Sequence, residues 1–168
     1  MKRQEMAASR VVPGDPVQTF HRVLPMPLDR LFIRWYGPIP PIGSTDGPVP
    51  WHTAGQQRRV NLVGPGWMTE TLTEVDPPHQ FSYRLDQLHG PMSALIAAVD
   101  GRWSFAPTEP GRPTGTTVTW TWLVTPRSGT RVLLPAFTTL WTGYAERALL
   151  RLEVLLHDSE PPADGPGY

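Results

Sequence analysis

The strongest pattern of hydrophobic and polar positions in the chain lies near its end. From about Leu133 to His157, at about 100° per residue, Phe137, Trp141, Tyr144, Ala148, Leu152 and Leu155 fall on one stripe, with Thr142, Glu146 and Glu153 opposite. A helix with a single apolar stripe must bury it, and the partner this chain offers is the series of strand-like segments that precedes it. The pattern predicts an α+β architecture, a curved antiparallel sheet of six or seven strands gripping one long C-terminal helix. Such an arrangement encloses a cavity between sheet and helix, which makes small-molecule binding the leading functional expectation.

The preceding segments are read from their periodicity and their turns. Val118, Trp120, Trp122 and Val124 alternate with Thr117, Thr119, Thr121 and Leu123, the clearest period-two signal in the chain, and predict a strand over Thr116–Pro126. Gln56–Val63 and Trp67–Asp76 read as a hairpin around Gly64-Pro65-Gly66, followed by a strand over Gln80–Leu88. Ala94–Pro107 reads as one long strand, or two short ones broken near Gly101. At the front, a strand is expected over Val17–Leu24 and a short helix over Pro27–Tyr36 with Leu28, Leu31, Phe32 and Trp35 on its apolar face. Between Gly37 and Gly55 the density of Pro and Gly excludes a long helix or a central strand. That stretch is either a lid carrying Ile39, Ile42, Val49 and Trp51 over something apolar, or a passive surface connection.

Composition narrows the classes. One domain is expected in 168 residues, with a folded region at 11–158 between a disordered N-terminus (1–10) and a disordered tail (159–168) rich in Pro and Gly. Fifteen basic and 15 acidic residues give zero net charge, so overall charge supplies no reason to propose nucleic acid or an anionic membrane as partner. The absence of cysteine excludes disulfides, thiolate metal sites and a cysteine nucleophile. No apolar run is long enough to span a membrane and no apolar stretch follows the basic start at Lys2-Arg3, so a cytoplasmic location is expected. With no coiled-coil heptad and no spare apolar helix, a monomer or weak dimer is expected.

Standard signatures of chemistry are missing: the chain has no glycine-rich phosphate loop, no Gly-x-Ser-x-Gly elbow and no His-Glu-x-x-His. Its histidines, His21, His52, His79, His89 and His157, are far apart, and neither a metal site nor a cofactor is expected. The pair Arg58 and Glu70 carries more information. If the hairpin is centred on Pro65, Val60 faces Glu70 and Leu62 faces Met68, and Arg58 and Glu70 enter the apolar face as diagonal neighbours. There they pair structurally or orient a ligand carbonyl or hydroxyl, whereas a one-residue slip turns both to solvent. Burial raises the pKa of such a glutamate and the arginine lowers it. Tyr83, Trp103, Trp120, Trp122, Phe137, Trp141 and Tyr144 are the candidates for lining a pocket for a flat apolar ligand, or for filling it as core. Tyr83 and Tyr144 stand out because a buried phenol needs a hydrogen-bond partner.

The order strand, short helix, loop, antiparallel meander and long C-terminal helix resembles the SRPBCC superfamily, also called START-like or Bet v 1-like. Local phrases resemble its polyketide cyclase/dehydrase and lipid-transport branch. They are Val23-Leu24-Pro25-Met26-Pro27-Leu28-Asp29-Arg30-Leu31-Phe32, Arg58-Arg59-Val60, Glu70 to Pro78 with Phe81-Ser82-Tyr83-Arg84-Leu85, and Gly101-Arg102-Trp103-Ser104-Phe105 before Gly115 to Trp120. The resemblance implies a helix-grip fold and a cytoplasmic carrier for a small hydrophobic molecule, a lipid or a polyketide-like compound. Two alternatives stay open on the same scaffold. One is a cyclase/dehydratase-type enzyme with Glu70 or Tyr83 as acid or base and Arg58 polarising a carbonyl. The other is a protein-interaction module of co-chaperone type.

Overall fold

The alternation along the penultimate segment becomes a strand that lies second from one edge of a seven-stranded antiparallel sheet. In the computed structural model, which describes residues 3–109 and 114–158, the strands are β1 (Gln4–Pro13), β2 (Ile42–Asp46), β3 (Gln57–Leu62), β4 (Trp67–Asp76), β5 (Gln80–His89), β6 (Ile96–Pro107) and β7 (Gly115–Pro126). Their spatial order is β1-β7-β6-β5-β4-β3-β2, so the first two strands in sequence form the two edges. Register shifts in β2, β4 and β6 bend the sheet so that its inner face is concave. Among the described residues, no helix is long and apolar enough to cross a membrane.

The C-terminal helix α3 (Leu134–His157) buries the predicted stripe, Phe137, Trp141, Ala148, Leu152 and Leu155, with Tyr144 half-buried. Leu134, Ala145, Leu149 and Leu156 widen that stripe because both flanks of the helix meet protein. Glu153, expected on the polar side, is half-buried and takes an ion pair from Arg10 on β1, whose side chain has the same strand parity as the buried Met6, Ala8 and Val12. The last turn of α3 is also met from outside: Arg22 Nη2 donates to the carbonyls of Leu156 at 2.7 Å and Leu155 at 3.4 Å.

Three expectations about the front of the chain are corrected. The predicted strand at Val17–Leu24 is instead helix α1 (Pro16–Val23), started by the Asp15 carboxylate accepting from the Gln18 N–H at 2.9 Å and by Pro16 in the first turn. Thr19, Phe20, Val23 and Leu24 are buried, a helical spacing, while His21 is exposed. The stretch read as a disordered N-terminus supplies β1, paired with β7 from Gln4–Val124 to Pro13–Gly115. The short helix read over Pro27–Tyr36 is only the single turn α2 (Leu28–Leu31). It stops at Phe32, whose backbone leaves the helical region (φ −105°, ψ 64°) and whose carbonyl accepts the Ile42 N–H at 2.9 Å, and Trp35 beyond it is 58% exposed. The Pro/Gly-rich stretch after it contains edge strand β2, and Val49 there is 93% exposed, so it covers nothing. The tail from Ser159 lies outside the described residues.

Candidate functional site

Alternation along the strands sends one side-chain row of each into the concave face, and α3 closes that face without filling it. A cavity of about 490 Å³ remains. Val60, Met68 and Leu85 line it from the sheet, Phe32 from the end of α2, and Phe137 and Trp141 from α3. Trp35, Pro38, Val63, Pro65 and Leu133 also border it, and the exposure of Trp35, Val63 and Leu133 marks its mouth. Ile39 and Ile42 of the Pro/Gly-rich stretch are part of the wall, as a lid requires, while Trp51 is buried elsewhere.

Arg58 and Glu70 face the interior, but not in the register expected. Arg58 on β3 stands directly opposite Glu70 on β4, and Val60 opposite Met68, two residues from the predicted pairing. The turn is centred on Gly64, whose φ of 107° a side chain would oppose, with the Leu62 N–H donating to the Gly66 carbonyl at 2.9 Å. A shift of two preserves strand parity, so both side chains still point inward. Arg58 Nε donates to Glu70 Oε2 at 2.5 Å, with 8% and 6% of the two side chains exposed. Only Glu70 reaches the cavity wall. Arg58 is held behind it, its guanidinium 4.1 Å from the centre of the Trp51 ring, under a loop where a Cβ on Gly47 would come within 2.5 Å of Arg58 Cβ. Burial pushes the Glu70 carboxyl above its ordinary value of 4.5, against the downward pull of the Arg58 charge and hydrogen bond.

The aromatic candidates converge. Trp103 stacks on Trp120 at 5.0 Å, Trp120 lies 5.2 Å and Trp122 5.5 Å from Trp141, and Tyr144 lies 6.1 Å from Trp120. Tyr83 Oη accepts the Trp120 Nε1–H at 2.7 Å and the Trp122 Nε1–H at 2.9 Å. Burial raises the pKa of both Tyr83 and Tyr144, and the nearby Glu70 charge raises that of Tyr83 further, so both phenols keep their protons at physiological pH. All seven aromatic candidates, Tyr83, Trp103, Trp120, Trp122, Phe137, Trp141 and Tyr144, border the cavity.

Two residues have roles that the sequence does not reveal. Gly101 on β6 lies under the Tyr83 ring: a Cβ there would stand 2.1 Å from Tyr83 Cζ and 2.5 Å from its Oη. A lone glycine inside a strand signals a close approach, but here it was read only as a possible break. Trp51 is expected over something apolar in the lid reading, whereas what it covers is the Arg58 guanidinium. Among the described residues, no group of three His, Asp or Glu side chains comes together to hold a metal ion.

This cavity, set between a long C-terminal helix and a curved seven-stranded sheet, is the arrangement of the helix-grip fold. The chain belongs to the polyketide cyclase/dehydrase and lipid transport family, whose model matches residues 3–156, and thereby to the SRPBCC superfamily. Among solved structures, a Mesorhizobium loti protein superposes with a TM-score of 0.66 at 17% identity, covering 94% of this chain and 100% of that one. A START superfamily protein from Mycobacterium smegmatis (TM-score 0.64, 12% identity, 92% and 97% covered) is also similar. So is major latex-like protein 151 from Panax ginseng (TM-score 0.64, 10% identity, 92% and 98% covered). At these identities the likeness is one of fold. Among curated proteins, none matches this chain.

Proposed function

We infer that the protein binds a small hydrophobic molecule, a lipid or a polyketide-like compound, between the sheet and α3, acting as a cytoplasmic carrier or binding protein in monomeric or weakly dimeric form. The observation that carries this reading is the cavity itself: about 490 Å³ of space walled mostly by aliphatic and aromatic side chains, with Glu70, Tyr83, His89 and Tyr144 among its polar points. A core built only for stability would close such a volume, because unfilled apolar space forfeits packing. Arg58 acts through Glu70, holding its carboxylate in place. Titration with Nile red tests the reading: saturable, one-to-one enhancement of dye fluorescence supports it, and unsaturable or absent enhancement counts against it.

One observation favours a second reading. Glu70 combines a raised pKa with a place on the cavity wall, the combination that suits a general acid or base. In a cyclase/dehydratase-type enzyme Glu70 would exchange a proton with the bound substrate. Loss of turnover, with retained binding, in Glu70→Gln separates this reading from a carrier.

A further inference from the structure

A phenol has two lone pairs that accept and one O–H that donates. At Tyr83 the Trp120 and Trp122 N–H groups, at 2.7 and 2.9 Å, take both accepting positions. These indoles stand two residues apart on the inner face of β7, two strands away from β5, and the Tyr83 ring reaches them by lying across Gly101 on the strand between. The hydroxyl therefore has one capacity left, its own proton. Among the described residues no acceptor takes it; Glu70, diagonal to Tyr83 on the neighbouring strand, forms its hydrogen bond with Arg58. On the facing helix, the fully buried Trp141 has a second donor, Nε1–H, also without a partner among the described residues.

We propose that Tyr83 is a specificity-determining residue that reads a hydrogen-bond acceptor on the ligand, such as a ketone oxygen, because Trp120 and Trp122 lock its hydroxyl into the donor role. A ligand with a hydrocarbon group at that place leaves a buried donor unpaired and binds less well. A ligand with the acceptor completes the site. The inference rests on the reading of the cavity as a ligand site, and it narrows the ligand to apolar molecules with an acceptor positioned over Tyr83.

The test uses two probes of nearly the same shape, 2-acetylnaphthalene and 2-isopropenylnaphthalene, which differ in C=O against C=CH₂. Their dissociation constants are measured for the full chain and for Tyr83→Phe. The expected result is that the preference for ketone over alkene falls by about tenfold in Tyr83→Phe, while binding of the alkene is retained. An unchanged preference overturns the assignment of Tyr83 and leaves the cavity reading standing. Saturable binding of neither probe overturns both. The infrared C=O stretch of the ketone bound to the wild-type protein decides the matter even if the variant fails to fold: a stretch below its value in hexane supports the assignment, and one at the hexane value overturns it.

Discussion

Tyr83 lies flat across Gly101, close enough that a single added methyl would stand 2.1 Å from the phenol Cζ. The phenol can reach the two β7 tryptophans only because the intervening strand has no side chain at that place. Gly101→Ala is expected to push the ring off its position and to cost about 1–3 kcal/mol through overpacking. Adding Tyr83→Ala should recover part of that loss, since the clash then has no partner. Denaturant melts of the single and double variants measure the coupling, and strictly additive effects would place the ring elsewhere.

Trp141 is fully buried on α3 beside Trp120 and Trp122. Trp141→Ala is expected to enlarge the cavity and cost about 3–5 kcal/mol. Equilibrium unfolding reads this directly. A loss below about 1 kcal/mol would mean that the helix presents a different face to the sheet.

Glu70 gives a pH dependence whose sign follows from its raised pKa. Above 4.5, the unfolded chain releases the Glu70 proton before the folded chain does, so the native state holds more protons and stability falls as pH rises through that window. Relative to Glu70→Gln, whose amide does not titrate, the wild-type protein should lose stability as pH climbs from 4.5, by at most about 1.4 kcal/mol per pH unit for one proton. Thermal melts of the two proteins across that range test the sign, and a relative gain with rising pH contradicts it.

Asp15 caps α1 through its carboxylate. Asp15→Ala is expected to cost about 1 kcal/mol, whereas Asp15→Ser should largely retain the cap. Chemical denaturation of the two variants distinguishes a helix start from the strand suggested by Val17 and Val23.

The sequence was legible where local pattern and tertiary role agree. The stripe on α3 and the alternation on β7 are repeated over enough residues that the buried face could be read directly. Parity also protects the inward placement of Arg58 and Glu70, although the turn is centred on Gly64, which has the positive φ, and not on Pro65. What stayed hidden depends on distant partners. Strand β1 has only Met6, Ala8 and Val12 buried, and becomes a strand by pairing with β7 more than 100 residues away. Arg58 and Glu70 were assigned to the same surface, but Trp51 and the loop at Gly47 shield the arginine, so only the glutamate borders the cavity. The aromatic cluster was visible as residues; the bonding that turns Tyr83 into a donor required the geometry across three strands.

Whether the cavity holds a small apolar ligand is decided by native mass spectrometry of the protein purified from its own host. The expected result is a species heavier than the polypeptide by the mass of one small molecule, which reverts to the bare chain on denaturation and yields an organic-soluble compound bearing an acceptor oxygen. The bare polypeptide mass under both conditions, in a protein that also fails to take up Nile red, would contradict it.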